Sequence, residues 1–347
     1  MPDALSDISR RPHHYPHQTP DDVVHAIKKL KEKRPAWGPK KLLYALEKKY
    51  PHFTKYPAVS TISVILKRHG LSSKYRRRLK RYHPGRPMTV IKYPNHVWTV
   101  DFKGHFKTGD GLYCYPLTAA DGDSRFLLSC EGMLSPSHEP VRAVFKGLFK
   151  KYGLPERIRS DNGNPFASIA LGRLSRLSVW WIKLGIIPEL IEPGCPQQNG
   201  RHERMHRTLK YDTTIPPAKD LIRQQERFNI FQEDYNYERP HESLGMRPPA
   251  DVYKPSDRKM PDAVPKITYP AHYEVRRVSN NSGIRWNKNW VNVSHVLAGE
   301  YVGLEEIDLG IWDVYFGPVW LGRLNEKIMK IEDENGKLER EARHKKV

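Results

Sequence analysis

Asp101 lies in an apolar run, His96-Val-Trp-Thr-Val-Asp-Phe, that reads as a β-strand. Asp161 follows a second short strand-like run, 157–160, and precedes Asn162-Gly163. Glu203 lies on a helix-like stretch that begins after the loop 196–200, Pro-Gln-Gln-Asn-Gly. A carboxylate on a buried strand is costly unless it is paired or holds a cation. Three gathered carboxylates would repel one another and raise their own pKa values unless a cation sat among them. An all-oxygen donor set suits Mg²⁺ or Mn²⁺. Two such ions about 3.5–4 Å apart can activate the attacking oxygen and stabilise the leaving one in an in-line phosphoryl transfer. The chain holds 39 acidic residues, so spacing alone does not single out this triplet.

A second pattern overlaps the first. His202-Glu203-Arg204-Met205-His206 fits H-E-x-x-H, in which two histidines one turn apart bind Zn²⁺ and the glutamate is a base. Glu226 stands at a suitable separation for a third ligand. Arg201, Arg204 and Arg207 crowd this pattern, and a cationic neighbourhood disfavours a second cation held by neutral imidazoles. The zinc-protease reading therefore ranks below phosphoryl transfer.

The elements around these residues fall into segments. Residues 1–19 carry Pro and His but little to bury, and read as a flexible arm. Residues 20–73 hold three helical stripes: Val23, Ile27 and Leu30; Leu42, Leu43 and Leu46; Ile62, Ile65 and Leu66. Thr19 before Pro20-Asp21-Asp22 reads as N-cap chemistry, and His69-Gly70 closes the third stripe. Three short helices with a tight break before the third are the layout of a helix-turn-helix domain. The third would then face DNA with Ser60, Thr61, Ser63, Lys67 and Arg68. A basic linker, 74–93, includes Lys74, Arg76, Arg77 and Arg78 beside Tyr75. Residues 94–239 alternate strand-like and helix-like runs, which indicates an α/β or α+β core with helices against a sheet. Residues 240–266 hold six prolines and read as a semi-rigid connector. Five short β-like runs in 267–330 suggest a small β-barrel whose core takes Trp286, Trp290, Trp312 and Trp320. Residues 331–347 read as a charged tail.

Charge points to the partner. The net charge is +20, and residues 1–92 carry 22 Lys and Arg against 6 Asp and Glu, a net of +16. An excess this local favours a polyanion. No apolar run is long enough to span a bilayer, and the N-terminus lacks a signal-peptide core, so no membrane partner is expected. Cys114, Cys130 and Cys195 are widely spaced, which argues against a disulfide framework or a cysteine zinc site.

Several segments together resemble the bacterial insertion-sequence transposases of the retroviral-integrase superfamily. They are V-W-T-V-D-F at 97–102, Y-P-L-T-A-A-D-G-D-S-R at 115–125, R-S-D-N-G at 159–163, P-Q-Q-N-G-R-H-E-R at 196–204, Y-N-Y-E-R-P-H-E-S-L-G at 235–245 and R-P-P-A at 247–250. W-G-P-K-K at 37–41 and S-T-I-S-V-I-L-K-R-H-G-L at 60–71 resemble this family's helix-turn-helix. The resemblance covers roughly residues 20–255 and implies a multidomain chain. Its centre would be a ribonuclease-H-like core, a mixed sheet with helices on both faces.

By that resemblance Asp101, Asp161 and Glu203 would hold two Mg²⁺ or Mn²⁺ ions. Asn162 and Gly163 would shape the turn beside Asp161, and Asn199 and Gly200 the start of the helix bearing Glu203. Arg207 and Lys210, one and two turns beyond Glu203, would hold DNA phosphates. The expected partner is double-stranded DNA, both the element's terminal inverted repeats and the target. The expected assembly is a homo-oligomer, at least a dimer, in the bacterial cytoplasm at the nucleoid. A non-catalytic site-specific DNA-binding protein remains the alternative. The family usually places about thirty-five residues between the second Asp and the Glu, whereas this chain has 41, with the extra residues expected in 167–184. Retroviral members carry an N-terminal His/Cys zinc module; His13, His14 and His17 lack cysteine partners, so no zinc is expected there.

Overall fold

The computed structural model describes residues 18–72, 88–192 and 195–332. Most of the expected arm with its three histidines, the linker residues Lys74, Arg76, Arg77 and Arg78, and most of the charged tail lie outside the described residues.

Helices α1 (Asp21–Lys33), α2 (Pro39–Lys49) and α3 (Val59–Arg68) form one compact unit together with Pro240–Met246. Val23, Ala26, Ile27 and Leu30 supply its first stripe, Leu42, Ala45 and Leu46 the second, and Ile62, Ile65 and Leu66 the third. Leu43, expected inside, is only half-buried; the buried stripe of α2 runs through Leu42, Leu46 and Ala45 on the opposite flank. Thr19 does not cap α1. Pro20 occupies the cap position, so the threonine stands one residue too early. The Asp22 carboxylate instead accepts from its neighbour's amide, Val23 N, at 2.8 Å. On α3, Ser60, Ser63, Lys67 and Arg68 are exposed and Thr61 is half-buried.

The second unit begins with a mixed sheet. Its strands are β1 (Val97–Phe102), β2 (Phe106–Lys107), β3 (Tyr113–Asp121), β4 (Leu127–Met133), β5 (Arg157–Ser160) and β6 (Ile187–Leu190). β3 pairs antiparallel with β4 and β1, β1 pairs parallel with β5, and β5 parallel with β6; β2 adds a short pairing to the start of β3. The antiparallel pairs come from short turns, and the parallel ones need helical crossovers. Helix α4 (His138–Tyr152) supplies the first and α5 (Arg176–Lys183) the second. Gly153, with φ +77°, ends α4, and a side chain there would strike the Ser256 carbonyl.

The sheet has apolar layers on both faces. Trp98, Val100, Leu117, Ala119 and Ile158 pack against Phe145, Phe149, Trp180 and Trp181 of α4 and α5. Cys114, Ala120, Leu127 and Cys130 pack against Met205 and Leu209 of α6 (Gly200–Thr213) and Phe228 and Phe231 of α7 (Leu221–Glu233). The three cysteines are free and buried. Helices on both faces agree with the mixed-sheet core implied by the resemblance.

Parts of both segments expected to link domains pack on the core, as far as the described residues show. Within the linker, Thr89 O accepts from Arg159 Nη2 at 2.8 Å, and Arg159 also holds Glu189. The Pro-rich stretch after residue 246 straps the core: Tyr253 stacks on Phe126 at 4.4 Å, and Ser256 N donates to Tyr152 O. Prolines leave few amides to satisfy, so the segment can lie flat on the core at small hydrogen-bonding cost.

The C-terminal strands are β7 (Glu274–Arg277), β8 (Gly283–Trp286), β9 (Asn289–Asn292), β10 (Tyr301–Asp308), β11 (Ile311–Phe316), β12 (Val319–Asn325) and β13 (Lys330–Glu332). They form an open five-stranded sheet, β13-β12-β11-β10-β7, and a separate hairpin, β8-β9, around one apolar core. The expected barrel is therefore not closed by hydrogen bonds, since alternation reveals which face is buried but not which strands pair. Residues 331 and 332, expected in the tail, complete β13. Trp290, expected in the core, is exposed.

The 167–184 segment joins the two β systems. Leu177, Trp180 and Trp181 enter the core of the mixed sheet, while Leu171, Leu174, Val179 and Ile182 enter the C-terminal core. Ser175 and Ser178 cap α5 reciprocally. No helix among the described residues is long and apolar enough to cross a membrane. Trp181→Ala should cost about 3–5 kcal/mol, the usual range for emptying a buried aromatic site. Denaturant unfolding measures it, and a wild-type midpoint would contradict the packing of α5.

Candidate active site

Alternation along β1 sends Trp98 and Val100 into the α4 layer and leaves Thr99 and Asp101 facing α6. Asp161 follows β5, the parallel neighbour of β1. Gly163 N donates to Asp161 Oδ1 at 3.1 Å, and a Cβ at Gly163 would lie 3.1 Å from Asp161 Oδ2, so glycine keeps that carboxylate uncrowded. Asn162 Nδ2 donates to Ile191 O at 2.6 Å, while its buried Oδ1 has no hydrogen-bond partner among the described residues. Glu203 stands exposed on the first turn of α6. Asn199 occupies the N-cap position of that helix without a side-chain cap, and Gly200 follows it with open space around its Cα. Arg207 and Lys210 are exposed further along α6.

Burial raises the Asp101 pKa to about 7, and the charge of Asp161 adds to the rise. The Phe102 amide and the Lys103 ammonium oppose it, and Glu203 raises it further. Both other carboxylates thus lie close enough to act on Asp101. Among the described residues, no three His, Cys, Asp or Glu side chains form a ready-made metal cage.

The two histidines of the H-E-x-x-H pattern point away from Glu203, into the sheet. Thr118 Oγ1 lies 2.7 Å from His202 Nε2 and 2.6 Å from His206 Nε2, and it donates to Asp101 O at 3.0 Å. A hydroxyl has one proton to give. Thr118 spends it on the carbonyl, so both imidazoles must donate through Nε2. The Thr99 hydroxyl, 3.0 Å from His202 Nδ1 and 3.3 Å from Ala120 O, then gives its one proton to the nearer nitrogen. His206 Nδ1 is left as a bare lone pair 3.6 Å from Asp101 Oδ2, an arrangement that suits a protonated Asp101. Burial lowers the pKa of His202 to about 3 and of His206 to about 2, so both rings are neutral. Glu226 is exposed and pairs with Arg223. The zinc-protease reading is overturned: its histidines are consumed by threonines, and its third ligand faces solvent.

Thr118 and the structural role of His206 escape a reading of motifs, although Thr118 shares the face of Asp101 by register. Asp121, expected as a turn residue, is the last residue of β3 and ties the turn that follows. Its carboxylate accepts from Asn95 N, Ser124 N and Ser124 Oγ at 2.6–2.8 Å.

These titrations oppose one another. The stability contributed by neutral His202 and His206 is fully present above an unfolded histidine's pKa and is lost as pH falls below it. The contribution of Asp101 is fully present below 3.8 and is lost as pH rises toward about 7. Between pH 5 and 6, two histidines outweigh one aspartate. Asp101→Asn removes the opposing proton, so its stability should climb with pH more steeply than the wild type's by about one proton, about 1.4 kcal/mol per pH unit. Denaturant unfolding across this range provides the check, and equal slopes would show that Asp101 ionises normally.

Residues 92–196 and 184–249 each match a family model described as an integrase core domain. An uncharacterised insertion-element protein of Burkholderia multivorans is 26% identical over 166 residues, 46% of this chain and 55% of its own length. A second, from Xanthomonas euvesicatoria, is 33% identical over 105 residues, 28% of this chain and 27% of its own. The Gag-Pol polyprotein of baboon endogenous virus is 32% identical over 124 residues, 35% of this chain and 7% of its own. The aligned stretches thus span about half or less of each relative. The HTLV-2 integrase catalytic core domain, solved in complex with magnesium, is 17% identical, covering 47% of this chain and 98% of its own, with a TM-score of 0.35. Residues 92–249 thus match an integrase core domain, and proteins of bacterial insertion elements and of a retrovirus are similar to stretches of this chain.

Proposed function

We propose that this chain is a DNA transposase that frees a 3′-hydroxyl at the ends of a mobile element and joins it to target DNA. The observation that carries the reading is the half-buried Asp101 carboxylate on β1, facing α6 and within reach of the charges of Asp161 and Glu203. Such a group is costly without a cation. The donor set fits Mg²⁺ or Mn²⁺: the three acids offer oxygens, and both neighbouring imidazoles are held on Thr118 through Nε2. Mg²⁺ commonly takes one or two carboxylates together with water and substrate phosphate, so an open set of acids suits it better than a closed cage. Two ions held by Asp101, Asp161 and Glu203 would supply the charge that activates the attacking oxygen and steadies the leaving one.

The protein's own groups do the positioning. β1 and β5 hold two of the acids on adjacent strands, and α6 carries the third over them. Arg207 and Lys210 would bind backbone phosphates beyond Glu203. In the helical unit, α3 would read the major groove as the second helix of a helix-turn-helix, through Ser60, Thr61, Ser63, Lys67 and Arg68. Lys74, Arg76, Arg77 and Arg78 would follow the DNA backbone. Joining two element ends calls for at least two copies of the chain.

Asp101→Asn, Asp161→Asn and Glu203→Gln should each lower Mg²⁺-dependent strand transfer by roughly 10³-fold or more, as electrostatic stabilisation of the transition state is usually the largest single term. DNA-end binding should stay close to wild type. A strand-transfer assay on the element's own ends measures both. Full activity in any variant would remove that residue from the reading, and no activity in the wild type would favour a non-catalytic DNA-binding protein.

A further inference from the structure

A cluster of arginines lies on the flank of α6 away from Glu203. Arg125 leaves the β3–β4 turn with φ +67°, a left-handed conformation that L-residues rarely adopt. Its Nε is buried and makes no hydrogen bond. Arg201, on the first turn of α6, donates from Nη1 to Gly122 O of the same turn at 2.7 Å. Arg204 follows one helical turn later. The charges of Arg201 and Arg204 both act on Arg125 and disfavour its protonated form, which burial disfavours most. Tyr235 and, less strongly, Asp123 act in the opposite sense, but among the described residues neither Arg125 nor Arg204 forms an ion pair. Nearby, Arg239 is differently placed, within 3.9 Å of Asp212 and over the Tyr235 ring.

Like charges gathered with a buried, unpaired guanidinium donor are costly unless an anion completes them. Guanidinium forks match phosphate oxygens two at a time. The position selects the anion. On a helical wheel Lys210, Glu203, Arg207, Arg204 and Arg201 follow one another around the exposed side of α6, so the cluster continues the basic surface that starts at the candidate active site. Gly122 N donates to Val97 O, four residues before Asp101 on β1, about 13 Å at ~3.3 Å per residue. That is about four steps of duplex DNA at ~3.4 Å each. We propose that Arg125, Arg201 and Arg204 form a phosphate clamp that grips the DNA backbone a few nucleotides from the bond being broken. The clamp rests on the reading of this chain as a DNA-processing enzyme, and it adds a backbone contact that no motif assigns.

The test is DNA binding by the full chain to a short duplex of arbitrary sequence, titrated with NaCl. Arg125→Gln and Arg204→Gln should each weaken binding about tenfold at low salt, the cost of losing one charged hydrogen-bonding group. Each should also flatten the log–log salt slope by about 0.9, the value for one phosphate. Arg125→Lys should restore the slope but not the full affinity. If circular dichroism shows that Arg125→Gln does not fold, Arg204→Gln, on the exposed face, decides the matter. Wild-type slope and affinity in Arg204→Gln, and in any folded Arg125→Gln, would overturn the clamp. The readout is binding, so a wild type inactive in strand transfer would sink the catalytic reading while leaving this result interpretable.

Discussion

The pleat of a single strand constrains the whole candidate site. β1 is covered on both faces, and its period of two commits Trp98 and Val100 to one layer and Thr99 and Asp101 to the other. A one-residue slip of register would exchange the two sets, placing a carboxylate among Phe145 and Phe149 and an indole under α6. Some 20 buried residues on the α4 side make that slip prohibitive. The apolar core thus does more than stabilise the sheet, because it fixes where the charge must emerge. Parallel pairing with β5 then delivers Asp161 to the same end of the sheet.

Beneath the acids lies a polar network with little freedom. Thr118 has one proton to donate and two lone pairs, and three neighbours use them. That inventory sets the tautomer of both imidazoles and leaves His206 facing Asp101 through an unprotonated nitrogen. The His202 and His206 rings form the floor of the site, between α6 and the sheet. This gives the H-E-x-x-H spacing a structural origin: residues at i and i+4 share a helix face, and here that face is the buried one. Glu203 lies on the exposed side and remains available to DNA and cations.

Much of this arrangement was legible in the residues themselves. The stripes of α1 to α3, the strand around Asp101 and the helix beginning at Gly200 follow from periodicity and turn chemistry. The candidate acids followed from their places on those elements and from the motifs around them. Pairing was harder to read. Nothing in residues 279–286 marks β8 as a strand after an Asn-Asn-Ser-Gly turn, and no local pattern shows that the C-terminal sheet stays open. The role of Thr118 was hidden because its partners lie more than eighty residues away in sequence. The seating of the Pro-rich segment was hidden for a related reason, since composition reports stiffness and not the surface on which a stiff segment lies. Within 167–184, where the extra residues are expected, α5 turns two apolar faces to two different cores, a duty that a hydrophobic stripe alone does not divide.

The central claim is that Asp101, Asp161 and Glu203 share one divalent cation site. A Mn²⁺ titration at neutral pH tests it most directly, with the free aquo-ion followed by electron paramagnetic resonance in the wild type and in Asp101→Asn. Saturable binding by the wild type that is lost in the variant is the predicted result. Identical titration curves for the two proteins would contradict the shared site.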